Sequence, residues 1–158
     1  MCNPEKVYWD SSIWIALIKG ENINGVDRCE TPRLILEDAK AGKVLIYISR
    51  ITVVEVQKKK NKPELNIVED NSVQNDFLKH NYIKHIDVDK KVAYLARDLA
   101  FTYKLKPCDA IHLASAIKVN AEALHHWDGD FGKVPSNILN CCHPTKWTKQ
   151  TSIKGDNF

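Results

Sequence analysis

Two short unbroken apolar runs, Val7-Tyr8-Trp9 and Val44-Leu45-Ile46-Tyr47-Ile48, constrain the fold most, because each leads through a polar residue into a segment of helical pattern. A strand wet on one face alternates apolar and polar residues; an unbroken run suits a strand covered on both faces. After Asp10, Ser11 and Ser12 lead into the apolar segment from Ile13 to Ile18, which Gly20 stops. Thr31-Pro32 reads as an N-cap with proline at the first helical position, followed by Leu34, Ile35 and Ala39, and Gly42 ends that helix. Ser49 opens a helix carrying Ile51, Val54 and Glu55, and Asp89 caps another with Val92, Leu95, Ala96 and Leu99 on one face. Residues 82–88 and 123–127 read as further strands, and Ile138-Leu139 as a short fifth; Val73, Phe77 and Leu78 suggest one amphipathic helix between 64 and 81. Strands alternating with helices predict an α/β domain of three layers, α/β/α, around a central, mostly parallel sheet. The expected domain covers residues 1–142, with a polar C-terminal tail at 143–158.

A chain of 158 residues can bury one core without staples. Its formal charge of +3, from 23 Lys and Arg against 20 Asp and Glu, is too mild to identify a partner, so charge placement has to carry that argument. No run approaches the roughly 20 apolar residues of a membrane span. Residues 1–6 are polar and lead straight into a strand, so no leader is expected. Cys2, Cys29, Cys108, Cys141 and Cys142 are scattered and lack CxxC spacing; even with His143 beside Cys141-Cys142, free thiols in a reducing cytoplasm are the expectation. The six glycines form neither a phosphate loop nor a dinucleotide fingerprint.

In parallel sheets ligands sit beyond the carboxyl ends of the strands. Asp10 closes the first strand, Asp128 closes the strand at 123–127, Asp109 opens a strongly apolar helix beside that edge, and Glu55 follows the strand at 44–48. Each acid alone has an ordinary reading: Asp10 and Asp109 as caps, Glu55 as a solvated helix acid, Asp128-Gly129-Asp130 as a turn. Brought to one rim, they repel one another, and burial raises their pKa values unless a positive charge compensates. Oxygen-only ligation favours Mg²⁺ or Mn²⁺, ions that suit phosphodiester hydrolysis.

The segment Tyr8-Trp9-Asp10-Ser11-Ser12-Ile13-Trp14-Ile15 resembles the opening motif of PIN domains. Pro107-Cys108-Asp109-Ala110-Ile111-His112-Leu113-Ala114-Ser115-Ala116 is similar to their central motif, and Trp127-Asp128-Gly129-Asp130-Phe131 to the last. The resemblance implies a metal-dependent endoribonuclease, often the VapC-like toxin of a toxin–antitoxin pair, with an antitoxin as protein partner and a homodimer as assembly. It assigns the catalytic quartet to Asp10, Glu55, Asp109 and Asp128. Asp10, Asp109 and Asp128 would bind the cation, and Glu55 would hold the attacking water or a second ion. Ser12 matches a supporting hydroxyl and Asp130 an accessory acid. One position departs from the pattern: His126 stands where a threonine is common.

Lys58, Lys59 and Lys60, with Lys62 just beyond, follow Glu55 closely and are candidate contacts to RNA phosphates; the same lysines would also complement a helix C-terminus. Arg97 is a further candidate, whereas Trp14 and Trp127 read as core, Trp14 also as part of a dimer surface. A phosphatase of the haloacid dehalogenase type needs a second acid two residues after the first, and Ser12 occupies that place. A PIN-like scaffold that binds RNA or protein without cutting is the rival from another class; clustered carboxylates are costly without a cation, which argues against it.

Overall fold

The computed structural model describes residues 3–56, 80–127 and 130–147. Lys58, Lys59, Lys60, Asp128 and the helix expected around Val73, Phe77 and Leu78 lie outside the described residues. The sheet strands are β1 (Glu5–Trp9), β4 (Val44–Ser49), β5 (Ile83–Ile86), β6 (Ala123–His125) and β7 (Asn140–Cys142), and α1 (Ser11–Lys19) follows β1 directly. They form one sheet in the order β5-β4-β1-β6-β7, and every pairing in it is parallel.

Side-chain alternation decides the layers. Val7 and Trp9 of β1, with Val44, Ile46 and Ile48 of β4, pack with α1 and α2 (Glu30–Lys40) on one face. Tyr8 and Leu124 point the other way, into a core built with α4 (Lys90–Tyr103) and α5 (Pro107–Lys118). Both faces are therefore covered, as unbroken apolar runs require. Asp89 caps α4 by accepting from the Val92 N–H at 2.9 Å, as its position suggests. Gly20 ends α1 in the left-handed region at φ 61°.

Several boundaries differ from the expectation. A small antiparallel hairpin, β2 (Asn22–Ile23) and β3 (Val26–Asp27), turns through Asn24-Gly25, both at positive φ. Its last residue starts α2: the Asp27 side chain accepts from the Cys29 N–H at 2.8 Å, so the helix begins before Thr31, which is not its cap. Pro32, Ile35 and Ala39 face the core, and Leu34 is exposed. The fifth sheet strand is Asn140–Cys142, because Leu139 drops into the core ahead of it. Beyond Cys142 the chain stays packed: Pro144–Lys146 make a short 3-10 turn and Trp147 lies against the α1–α2 core. Trp14, 2% exposed, is inside that same core. No helix among the described residues is long and apolar enough to cross a membrane.

Candidate active site

Asp10 is the residue at which β1 becomes α1. It caps the helix, its Oδ1 accepting from the Ser12 N–H at 3.0 Å and from the Ser12 hydroxyl at 2.5 Å. The Ser12 Oγ in turn accepts from the Trp127 N–H at 2.9 Å. One hydroxyl thus ties the end of β1 to the residue before Asp128. Burial pushes the Asp10 carboxyl up to about 7, attraction to the His112 ring when protonated and the Ser12 hydrogen bonds pulling against it. Ser12→Ala would leave a buried N–H without an acceptor and take a donor from Asp10. It should cost about 2 kcal/mol in urea denaturation; a variant within ~0.5 kcal/mol of the parent would show that water replaces the hydroxyl.

Asp109 is not a cap. Lys106 holds the N-cap position of α5, Pro107 opens the helix and Asp109 follows in its first turn. The raised pKa of Asp109 comes first from burial, with Asp130 and Glu55 adding repulsion and His112 and Lys106 opposing. Asp130 thus stands within electrostatic reach of Asp109, although half of its own side chain is exposed beside Lys133. No hydrogen bond among the described residues engages the Asp109 carboxylate.

Glu55 is the last residue of α3 (Ile51–Glu55). Ile51 and Val54 do not mark a buried face, since Val54 is 61% exposed. What turns Glu55 inward is His112, whose Nε2 lies 2.7 Å from Glu55 Oε2. Burial raises the Glu55 carboxyl, but His112, with smaller contributions from Ser11 and Cys108, outweighs it and lowers the value overall. Asp10, Glu55 and Asp109 therefore share one rim of the sheet. Among the described residues no group of three or more His, Cys, Asp or Glu side chains stands ready to hold a metal ion. Asp128, the remaining acid of the expected set, lies outside them.

A model of the PIN domain matches residues 7–137. The chain belongs to the PIN-domain family. Three solved structures with this PIN fold are the VapBC2 complex of Rickettsia felis, bound to a DNA fragment from their promoter, a toxin–antitoxin complex from Klebsiella pneumoniae, and VapC20 of Mycobacterium tuberculosis, a sarcin–ricin loop cleaving toxin. The Rickettsia chain aligns with a TM-score of 0.62 at 21% identity, over 86% of this chain and 96% of that one. The corresponding values are 0.60, 24%, 87% and 97% for the Klebsiella chain, and 0.59, 18%, 80% and 92% for VapC20. No curated protein sequence matches significantly.

Within this PIN domain His126 is a packed side chain: it is buried, with its ring 5.0 Å from Phe131 and 5.4 Å from His143. Cys141 and Cys142 are neighbours on β7, so their side chains leave opposite faces of the sheet. Burial pushes the Cys141 thiol up to about 12. Trp127 is core, as expected. Arg97 lines an open hollow on α4 with Asp98, Phe101 and Thr102 and is not among the charges that shift Asp10, Glu55 or Asp109. The residue that sequence reasoning passed over is His112. Its signal was present: a histidine in an otherwise apolar helix, if buried, needs a polar partner.

Proposed function

We propose that this PIN domain is a metal-dependent endoribonuclease, the toxin of a toxin–antitoxin pair, and that Asp10, Asp109 and Asp128 hold Mg²⁺ or Mn²⁺. The observation that carries the reading is the Asp10 carboxyl, buried at the sheet's carboxyl edge and pushed up to about 7, with Asp109 close enough to repel it and Glu55 close enough to repel Asp109. The opposing His112 and Lys106 do not offset burial and repulsion, since both Asp10 and Asp109 stay raised. The cluster's donors are oxygens only, and one Asp10 oxygen takes no hydrogen bond from the described residues, so the set fits a hard divalent cation. When bound, that cation would lower the pKa of the attacking water and stabilise charge on the phosphate. Glu55, kept ionised, accepts from that water, and Ser12 keeps Asp10 in place. Water attacks phosphorus and the 3′-oxygen leaves. Lys58, Lys59 and Lys60 are assigned to the RNA backbone, and an antitoxin and a second copy of the chain are the expected protein partners. The fold shared with two toxin–antitoxin complexes and with VapC20 supports the toxin and antitoxin assignments.

Two readouts test this together. Millimolar Mn²⁺ should raise the melting temperature above that in EDTA, by an amount that follows site occupancy. The same Mn²⁺ should switch on cutting of labelled structured RNA at discrete positions. Identical melts and no cutting would remove the reading, and RNA binding without cutting would make the domain a scaffold.

A further inference from the structure

Glu55 is held from the protein interior by a chain of hydrogen bonds, buried at Ser49, Tyr8 and His112 and part-buried at Glu55 itself. The backbone N–H of Ser49, at the end of β4, donates to Tyr8 Oη at 3.1 Å. Tyr8 Oη lies 2.6 Å from His112 Nδ1, and His112 Nε2 lies 2.7 Å from Glu55 Oε2. Ser49 and Tyr8 are fully buried and His112 is 1% exposed. The network fixes the protons. An ionised Glu55 only accepts, so His112 Nε2 carries hydrogen. Burial keeps the Tyr8 phenol neutral, and its O–H needs an acceptor, which the bare Nδ1 supplies. In that tautomer every N–H and O–H of this relay has an acceptor.

Topology makes the arrangement possible. Tyr8 lies on the face of β1 opposite Val7 and Trp9, under α5, where His112 sits among Ala110, Leu113, Ala114 and Ala116. A leucine would fill that position more simply. Glu55, by contrast, ends a helix of 5 residues at a terminus whose dipole disfavours an acid, and its stem has several rotamers to lose. The His112 ring also stands within electrostatic reach of Asp10 and Asp109.

We infer that Tyr8 and His112 are positioning residues, locking the Glu55 carboxylate in place relative to Asp10 and Asp109 so that the cation site is preformed. This rests on the cation site proposed above. Outer partners that orient metal-site carboxylates typically contribute a factor of 10–100 in metal affinity.

Mn²⁺ binding to the full chain, measured by calorimetry, tests it without any RNA. His112→Leu should weaken Mn²⁺ about tenfold or more. His112→Gln should recover most of the loss, since its amide can donate to Glu55 and its carbonyl can accept from Tyr8. In a Glu55→Gln background, His112→Leu should change Mn²⁺ affinity no further, because what it positions is gone. Equal losses in both backgrounds would mean a merely structural histidine, and Mn²⁺ binding by His112→Leu equal to the parent's would also overturn the inference. A parent that binds no Mn²⁺ removes the cation site itself, and the inference with it. Should His112→Leu fail to fold, the same cycle run with Tyr8→Phe decides the matter by the same criteria.

Discussion

Asp10→Asn, melted in EDTA, should be more stable than the parent at pH 8, by a margin that shrinks on acidification and vanishes only near pH 3.8. The sign follows from the direction of the Asp10 shift. Its folded value is about 7 against an ordinary 3.8, so between those values the folded state holds a proton that the unfolded state has lost. Stability of the metal-free parent therefore falls as pH rises through that window. Asparagine keeps the cap and accepts the same Ser12 hydrogen bonds, but it has no charge to bury. The gain above pH 7 is on the order of 4 kcal/mol, or roughly 10 °C in a domain of this size. Adding Mn²⁺ should reverse the ranking, since the parent gains a ligand and the variant has lost one. Parallel pH profiles for the two proteins in EDTA would mean that Asp10 is not a buried, uncompensated charge.

How far the sequence announces this site differs residue by residue. β1 and β4 are legible because burial on both faces demands unbroken apolar runs, and parallel strands place their carboxyl ends together. Asp10 and Asp89 are legible because a cap acts over two or three residues. The start of α2 is not: Thr31-Pro32 is a good local signal, but Asp27, at the end of a hairpin, captures the Cys29 N–H first. That hairpin did carry the local Asn24-Gly25 signal. His112 could not be assigned from spacing, because its partners Tyr8 and Glu55 lie 104 and 57 residues away and meet it only through the layer structure. Position in the sequence told that Asp109 stands near the helix start, but not that Lys106 holds the cap.

Asp109→Asn carries the largest expected effect. Lys106 leaves Asp109 without a capping role, so the exchange should cost little stability, and it relieves repulsion from Asp130 and Glu55. RNA binding should persist or tighten, because a negative charge beside the phosphates is gone. Cleavage is another matter. Losing one anionic ligand where charge develops removes ~3–4 kcal/mol of transition-state stabilisation, a factor of 10²–10³ in rate. Single-turnover cleavage of a labelled structured RNA by parent and Asp109→Asn, in buffer of controlled Mn²⁺, measures this directly. The expected result is a parent that cuts only with Mn²⁺ and a folded, RNA-binding variant slowed by at least 10²; equal rates for the two would contradict the metal-dependent mechanism.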